Sequence, residues 1–394
     1  MDILTTPHSR LFSTKDGSIW SANPAFGYKS WKWYFEIFDE VKLLAPLKML
    51  ENENINNLTL VSGTGVKVMP LPYVDNIWHY LKIYNCMKKN VFLNINKASA
   101  ILLRVPCPWA DITWGLVNKK RPYGVMVVTD PFYAYSRGAR DVAFRPILQY
   151  YTSNMMRQEC LNANAALYVT KKYLQSKYPC HHYSVGVSDV EIAESYFVSS
   201  PRPISIKRGS FSLITVTQLE PYKALDVLID AMSICVKRNL DLKLTIIGSG
   251  KYKEILQKQV NKLLLENRII FTGHLTFHEI VPKLDEADIF LLPSRAEGLP
   301  RAMVEAMAHA LPCIGSTAGG IPELISKDNI VEPGNAKMLA MKIEEIVSDP
   351  VRMSIMSSQN LIKAKEFTEA ALNPARTAFL KHLKNITIQW LKKS

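Results

Sequence analysis

Two glutamates stand eight positions apart within residues 288–323, in surroundings that suit a polar ligand. The segment reads DIFLLPSRAEGLPRAMVEAMAHALPCIGSTAGGIPE, which predicts a buried strand ending at Pro293, a loop with Glu297 and a helix with Glu305. The start of a helix leaves backbone N–H groups without an intrahelical partner, and such groups bind phosphate or sugar-phosphate oxygens. The two carboxylates can then hydrogen-bond different hydroxyl groups of one ligand.

Either glutamate alone has a simpler explanation. An acidic side chain near a helix N-terminus is stabilised by about 0.3–1 kcal/mol by the helix dipole, whatever its function. Gly298, in the loop, allows a ligand to approach the backbone closely, whereas Pro300 contributes no N–H. Because both glutamates flank one Gly-Leu-Pro turn, we favour ligand binding for the pair.

Alternating strands and helices must position this segment. From residue 211 onward, short β-rich runs alternate with longer segments of helical periodicity, which predicts βαβ units and a parallel sheet with helices on both faces. The first half shows the same α/β pattern less clearly. Strands are predicted at 213–216, 242–247, 269–271 and 289–292, and in the first half at 2–4, 41–44, 101–105, 125–128 and 166–169. Helices are predicted at 224–238, 252–266 and 277–287.

A Pro- and Ser-rich stretch divides the chain into two domains. We expect an N-terminal Rossmann-like domain at 1–197, a linker at 198–210 and a second Rossmann-like domain at 211–373. A last helix at 374–394, with Asn373 as N-cap and Pro374 at its first position, should pack back on the first domain. Two such domains place a ligand cleft between the carboxyl ends of their sheets.

Length and composition exclude several classes of protein. A chain of 394 residues holds two or three domains, and 48% apolar with 21% charged residues excludes disordered, collagen-like and coiled-coil chains. Six cysteines without a CxxC pair argue against a zinc ribbon or a disulfide framework and favour a reducing compartment. With no signal-peptide pattern and no apolar run of about 18 residues, we expect a cytoplasmic protein that is soluble or peripheral on the membrane.

The chain is strongly basic, with 48 Lys and Arg against 35 Asp and Glu and a net charge of +13. The excess is divided almost evenly between the two halves, so no basic arm for nucleic acid is indicated. Attraction to an anionic membrane is the use we expect for this charge.

Four segments of the second half share the pattern of one family. They are LITVTQLEPYKALDVLIDA, LKLTIIGSGKYKEIL, RIIFTGHL and EGLPRAMVEAMAHALPCIGSTAGGIPEL, from about residue 211 to 353. They resemble glycosyltransferase family 4, also called glycosyl transferases group 1, whose members are retaining enzymes of the GT-B fold with nucleotide-sugar donors. Glu297 and Glu305 stand in place of the family's E-x7-E pair.

The resemblance implies a role for individual residues. Lys223 matches the lysine that holds the donor diphosphate, Glu297 the glutamate that contacts the donor sugar, and Glu305 the one that holds the ribose. Gly298 and Leu299 match positions whose backbone amides face the donor. The other expected donor-binding residues are Gln218, Gly248, Gly273, Ser294, Arg295 and Gly17.

A lysine and the amides at a helix end can neutralise a leaving diphosphate without a metal. We therefore expect no metal and no cofactor, with a UDP- or GDP-linked sugar as co-substrate. Cys180, His181 and His182 could each bind a metal, but three adjacent side chains cannot easily point at one ion. This supports the expectation that the protein holds no metal.

The chain departs from the family at the diphosphate site. Gln218 stands where the family usually has an arginine, and glutamine lacks the charge and the fork geometry of that side chain. Three consequences are open: another base such as Arg295 or Lys251 compensates, donor binding is weak, or the protein has lost activity and kept a binding role.

The first half offers further site residues with two interpretations each. In VMVVTDPFYAYSR, Thr129 stands where the family often has a histidine, and the neighbouring Asp130 is either a catalytic residue or the cap of a turn. Gly17 either lies in a glycine loop facing the donor or belongs to an ordinary turn.

The resemblance, taken with these residues, implies a retaining, metal-independent hexosyltransferase. It would transfer a sugar to a glycan or lipid-linked acceptor in cell-surface polysaccharide biosynthesis, with the donor bound mainly by the second domain and the acceptor by the first, acceptor-binding domain. The alternative is a catalytically weak or inactive glycan- or nucleotide-binding member of the same fold. A sugar-nucleotide epimerase is disfavoured because the E-x7-E block belongs to the transferases.

Overall fold

The computed structural model describes residues 1–50, 55, 58–75, 77–117, 121–134, 144–203 and 209–393. They pack as two compact units. The first unit contains Met1–Thr129, Tyr151–Val187 and Asn373–Ser394, and the second contains Asp130–Tyr150 and Ser188–Leu372.

The first unit is built on one ten-stranded sheet. Its order is β10-β9-β8-β7-β1-β4-β2-β3-β5, and β6 also pairs with β4. Neighbouring strands are parallel, except that β3 runs antiparallel to β2 and β5. The strands are β1 (Asp2–Thr5), β2 (Leu11–Ser13), β3 (Ile19–Ser21), β4 (Glu40–Met49), β5 (Thr59–Leu60), β6 (Val66–Leu71), β7 (Ala100–Val105), β8 (Gly124–Val127), β9 (Ala165–Tyr168) and β10 (Tyr183–Gly186).

The second unit has a six-stranded, fully parallel sheet of order β13-β12-β11-β14-β15-β16. Its strands are β11 (Phe211–Val216), β12 (Leu242–Ile247), β13 (Ile269–Gly273), β14 (Ile289–Leu292), β15 (Cys313–Ser316) and β16 (Ile330–Val331). After β13 the chain returns to the middle of the sheet and continues with β14 beside β11. The order of the strands therefore reverses between β11 and β14, and the loops that follow them lie side by side, a position where α/β sheets bind ligands.

Helices connect the parallel strands. They are α1 (Ile77–Ile95), α2 (Pro108–Leu116), α3 (Pro131–Ala134), α4 (Arg145–Leu161), α5 (Tyr173–Lys177), α6 (Leu225–Lys237), α7 (Lys253–Lys262), α8 (Phe277–Glu286), α9 (Arg301–Ala308), α10 (Ala336–Val347), α11 (Pro350–Ala364) and α12 (Glu369–Leu391). Local sequence sets several starts: Thr276 and Glu279 form a capping box on α8, and Asn335 caps α10. Within the described ranges, none of these helices combines the length and the hydropathy needed to cross a membrane.

The second sheet is covered on both faces. Leu213 and Leu291 belong to one apolar cluster, and Ile214 and Phe290 belong to another. Successive residues of a strand point to opposite faces, so adjacent apolar residues of β11 and β14 supply both cores. The predicted α/β fold with two Rossmann-like domains is confirmed.

The last helix begins earlier than predicted. Asn373 was expected as the N-cap, but α12 starts at Glu369, where the Oγ1 atom of Thr368 accepts a hydrogen bond of 3.4 Å from the N–H of Ala371. Pro374 therefore lies inside the helix, and Asn373 donates from Nδ2 to Oε1 of Glu36 at 3.4 Å. The Thr368 hydroxyl thus caps the helix about one turn before the predicted N-cap, Asn373.

As predicted, the last helix packs on the first unit. Nζ of Lys384 donates to the carbonyl oxygen of Ile37 at 2.6 Å, and the His382 ring stacks on Tyr183 at 4.3 Å between centroids. Leu383 is fully buried.

The boundary between the units lies upstream of the expected linker. Residues 188–197 were assigned to the first domain, but Ile192 N–H donates to the carbonyl oxygen of Phe367 at 2.9 Å, within the second unit. Within the expected linker, Val198 N–H donates to the carbonyl oxygen of Ala308 at 3.1 Å. Residues 204–208 of that linker lie outside the described part of the chain.

Candidate functional site

The loops after β11 and β14 are joined by an ion pair. Nζ of Lys223, at the end of the 3-10 turn Pro221–Lys223, lies 2.7 Å from Oε1 of Glu297. The two side chains are only 14% and 7% exposed. Burial, the largest single influence, lowers the pKa of Lys223, but the Glu297 carboxylate and Tyr222 together outweigh it and the pKa is raised. Lys223 is therefore a cation at neutral pH, held where the strand order reverses.

A chain of hydroxyl groups fixes the Glu297 carboxylate. Oγ of Ser294 donates to Oε1 of Glu297 at 2.7 Å, and Oγ of Ser316 donates to the carbonyl oxygen of Ser294 at 2.6 Å. Both serines are fully buried. Among the described residues, the two donors to Glu297 meet on Oε1, which leaves Oε2 as an acceptor for a ligand hydroxyl.

Gly319 brings the loop after β15 against Glu297. A Cβ atom at Gly319 would lie 2.1 Å from the carbonyl oxygen of Glu297, and its φ is +57°. The next residue, Gly320, donates from its N–H to the carbonyl oxygen of Gly298 at 2.7 Å. This contact was not predicted from the sequence, although the Gly-Gly pair in STAGGIPE is the signal that points to it.

Arg295 holds the segment that carries Lys223. Its guanidinium donates to Oδ1 and Oδ2 of Asp226 at 2.9 and 2.7 Å, and Nη1 donates to the carbonyl oxygen of Pro221 at 2.7 Å. Its backbone N–H donates to the carbonyl oxygen of Tyr222 at 2.7 Å. The fork of Arg295 is thus occupied within the protein, where it positions the turn before α6.

Gln218, in place of the family's arginine, is exposed after β11. The hydroxyl of Tyr222 lies 3.5 Å from its Oε1 atom. Lys251, the second base expected to compensate, is 72% exposed, with Nζ 3.6 Å from Oε2 of Glu220. Arg295 and Lys251 were the two bases expected to compensate for Gln218. A ligand can reach the ammonium group of Lys251 directly, whereas binding to Arg295 would require its bidentate pair with Asp226 to break.

Two glycines shape the carboxyl edge of the sheet. Gly248 has φ +140°, and a Cβ there would lie 1.8 Å from the carbonyl oxygen of Thr217. Its N–H donates to the carbonyl oxygen of Gly273 at 2.8 Å. Gly273 has φ +81° with no atom within 4 Å of the Cβ position. The backbone needs glycine at Gly248 for space and at Gly273 for conformation.

The start of α9 follows directly on the Glu297 loop. Pro300 is its N-cap, and the N–H groups of Met303 and Val304 donate to the Pro300 carbonyl oxygen at 3.2 and 3.3 Å. Gly298 and Leu299, expected to present backbone amides, are partly exposed there.

Glu305 lies one turn into α9, with Oε1 3.6 Å from Nη1 of Arg301. Burial raises the pKa of its carboxyl, and Arg301 opposes the rise. The chain can thus present a carboxyl group of raised pKa, in addition to the Glu297 carboxylate, near the start of one helix.

Two expected site residues take part in turns. Gly17, in the first unit, has φ +85° and donates from its N–H to the carbonyl oxygen of Thr14 at 3.0 Å, in the turn between β2 and β3. Asp130 is buried, and its Oδ1 accepts from the N–H of Phe132 at 2.9 Å. Both contacts agree with the turn interpretation, and a role in donor binding or catalysis stays a prediction for each.

Within the ranges that the structure describes, no three His, Cys, Asp or Glu side chains are grouped so as to hold a metal ion.

Comparison with known proteins identifies this region. Residues 200–367 match the family described as glycosyl transferases group 1. They belong to that family. The predicted family resemblance is thus confirmed at the level of group 1 glycosyltransferases.

Relatives extend the likeness along the chain. Protein CapJ of Staphylococcus aureus is 28% identical over 349 residues, which cover 86% of this chain and 85% of CapJ. The amylovoran biosynthesis glycosyltransferase AmsK of Erwinia amylovora is 37% identical over 137 residues, 32% of this chain and 34% of AmsK.

A solved structure shares the fold. Anabaena HepE, in complex with UDP and glucose, superimposes with a TM-score of 0.68 at 18% identity, over 97% of this chain and 99% of HepE. At that identity the likeness shows the fold, which is GT-B.

Proposed function

We propose that the protein is a retaining, metal-independent hexosyltransferase that moves a sugar from a UDP- or GDP-linked donor to a glycan or lipid-linked acceptor. The observation that carries the proposal is the buried pair of Lys223 and Glu297 between the ends of β11 and β14, directly before α9. AmsK, named for amylovoran biosynthesis, supports a cell-surface polysaccharide as the product class. The proposed place of transfer is the cytoplasm. HepE, solved with UDP and glucose, supports a nucleotide-sugar donor.

Donor binding begins with a change of partner at Lys223. The donor diphosphate competes with Glu297 for the ammonium group, and the first N–H groups of α9 add further positive potential. Because Ser294 still donates to Oε1 of Glu297, the carboxylate stays in place when Lys223 turns to the diphosphate. Glu297 then accepts from hydroxyls of the donor sugar, and Glu305 from the ribose.

The chemical step breaks the bond between the anomeric carbon and the diphosphate oxygen. Lys223 and the helix amides stabilise the charge that builds on the leaving diphosphate, and the Glu297 carboxylate stabilises the oxocarbenium-like sugar. The acceptor oxygen bonds to the anomeric carbon on the face that the diphosphate leaves. Its proton passes to a diphosphate oxygen, so the nucleoside diphosphate leaves protonated and the configuration is retained.

A second candidate is a catalytically weak or inactive member that binds nucleotide or glycan. It is favoured by Gln218, which brings no charge, together with the engagement of Arg295 by Asp226. In that case Lys223 and Lys251 supply the side-chain positive charge that binds a diphosphate.

Donor hydrolysis separates the two candidates. The full chain is incubated with UDP- and GDP-sugars, and free nucleoside diphosphate is measured against Lys223→Ala and a matched control, Lys258→Ala, on the exposed face of α7. Release by the wild type and by Lys258→Ala, but not by Lys223→Ala, supports transfer. Nucleotide binding without release supports the second candidate, and neither binding nor release overturns both.

A further inference from the structure

Helix α1 of the first unit turns apolar side chains outward. Trp78, Leu81 and Phe92 are 73%, 58% and 51% exposed, and Leu93 is also exposed. Helical residues three, four or seven apart lie on one face. Trp78, Leu81 and Asn85 follow one another at spacings of three and four, and Phe92 follows Asn85 at a spacing of seven, so all four lie on the same face. The opposite face is buried through Met87 and Val91. The outward apolar side chains are therefore additional to those that hold the helix on its unit.

The same outward face is basic. Lys82, Lys88 and Lys89 are exposed and lie one helical turn or less from the apolar side chains. The sequence of α1, IWHYLKIYNCMKKNVFLNI, contains no aspartate or glutamate. The outer face of α1 thus combines bulky apolar groups with positive charge that no acidic residue of the helix itself balances.

We propose that this outer face, formed by Trp78, Leu81, Phe92 and the lysines Lys82, Lys88 and Lys89, docks the protein on an anionic phospholipid surface. A helix that lies in the membrane interface places tryptophan, leucine and phenylalanine among the acyl chains and lysines among the lipid phosphates. The lysine stems extend so that the ammonium groups reach the headgroups while their methylenes stay on the apolar side.

Charge complementarity selects a membrane over a second protein as the occupant. Apolar cores of protein interfaces are depleted of lysine, whereas lysines interspersed among apolar groups match the mixed chemistry of a headgroup layer. The net charge of +13 on the chain adds long-range attraction toward an anionic surface. Docking through α1 would bring the first unit next to a lipid-linked acceptor, but the docking itself does not depend on the proposed transfer reaction.

Vesicle sedimentation tests the proposal with the full chain. Vesicles of phosphatidylcholine alone are compared with vesicles that also contain phosphatidylglycerol, at low and high salt. We expect binding to the anionic vesicles, weakened by salt because screening reduces the attraction of the lysines. The variant Trp78→Ser/Phe92→Ser and the variant Lys82→Gln/Lys88→Gln/Lys89→Gln should each bind at least tenfold more weakly.

Matched controls use equally exposed residues of the second unit. Leu264→Ser/Ile362→Ser removes two exposed apolar groups, and Lys243→Gln/Lys258→Gln/Lys262→Gln removes three exposed charges. Both controls should weaken binding far less than the α1 variants, and thermal unfolding should show all variants folded. Absence of binding by the wild type, or equal losses in the α1 and control variants, would overturn the proposal. Sedimentation velocity that showed a dimer broken by Trp78→Ser/Phe92→Ser would assign the face to a second copy instead.

Discussion

Nζ of Lys223 and Oε1 of Glu297, 74 residues apart in the chain, lie 2.7 Å from each other. Oε1 also accepts from Ser294, so the carboxylate is oriented by a second donor that a ligand does not need to displace. The pair therefore holds the buried ammonium group of Lys223 in place, and we propose that the donor diphosphate is the anion that replaces Glu297 as its partner. In the proposed reaction the same ammonium balances Glu297 before donor binding and the diphosphate afterwards, which would link binding to catalysis.

Removing either member of the pair should abolish turnover without abolishing the fold. We expect Lys223→Ala and Glu297→Gln to lower donor hydrolysis by about 10²- to 10³-fold, since each removes charge stabilisation of the transition state. Lys223→Ala also leaves a buried carboxylate with only Ser294, and should lower the free energy of unfolding by about 3 kcal/mol.

Steady-state kinetics and urea unfolding measure both effects. Because the pKa of Lys223 is raised in the folded state, its ion pair stabilises the fold fully below the ordinary lysine pKa and is lost as pH rises through the raised value. The stability difference between wild type and Lys223→Ala should therefore be constant from pH 6 to about pH 9. Near-normal hydrolysis in either variant would contradict the assignment of the site.

The sequence predicted two strands near the site well because apolar residues dominate both of them. The predicted strands 242–247 and 289–292 coincide with β12 and β14. β14 is a continuous buried apolar run, and in β12 the exposed Lys243 separates the buried Leu242 and Leu244. The segment CIGS, now β15, was not predicted, since Gly315 and Ser316 interrupt its apolar pattern and a Gly-rich turn follows it.

The contacts between the site residues could not be predicted from the sequence as well as the strands could. A motif places Lys223 and Glu297 in one site, but it does not show that Ser294 and Lys223 share one carboxylate oxygen. Arg295 was expected on the donor because it is a base in the right loop. Asp226 engages it, and that pairing depends on the packing of α6 against the loop, which no local pattern reveals.

Two glycines at the carboxyl edge should respond differently to alanine. A methyl group at Gly248 would meet the Thr217 carbonyl oxygen at 1.8 Å, so Gly248→Ala must move the backbone and should lose about 4 kcal/mol of stability or more. Gly273→Ala meets no atom and bears only the strain of φ +81°, which is about 1–2 kcal/mol. Urea unfolding of the two variants measures the difference, and equal losses would argue against the tight contact at Gly248.

Gln218 offers a gain-of-affinity experiment. If Gln218 only occupies a phosphate position, Gln218→Arg adds a charged fork and should tighten binding of UDP or GDP by about tenfold. Isothermal titration calorimetry measures this, with Gln218→Leu as a variant that removes the amide and adds no charge. Weaker binding by Gln218→Arg would show that the glutamine has a specific role in the site.

A pair of carboxyl groups in the first unit should make stability depend on pH. Asp111 on α2 and Glu159 on α4 are hydrogen-bonded, and Glu159 is 1% exposed. Burial raises the pKa of Asp111 to about 6, and burial together with the charge of Asp111 raises the pKa of Glu159 well above its ordinary value. A raised carboxyl pKa means that the folded protein binds protons more tightly than the unfolded chain. The contribution is therefore fully present below pH 3.8 and is lost as pH rises through about 6.

Glu159→Gln removes one of the two charges while keeping a hydrogen-bonding group of similar size. We expect the wild type to lose on the order of 2 kcal/mol between pH 5 and pH 8, and Glu159→Gln to lose clearly less, as measured by urea unfolding at the two pH values. Glu254→Gln, on the exposed face of α7, is the matched control and should follow the wild type. If Glu159→Gln and the wild type lose the same stability between these pH values, the two carboxyl groups do not share a proton in the folded protein.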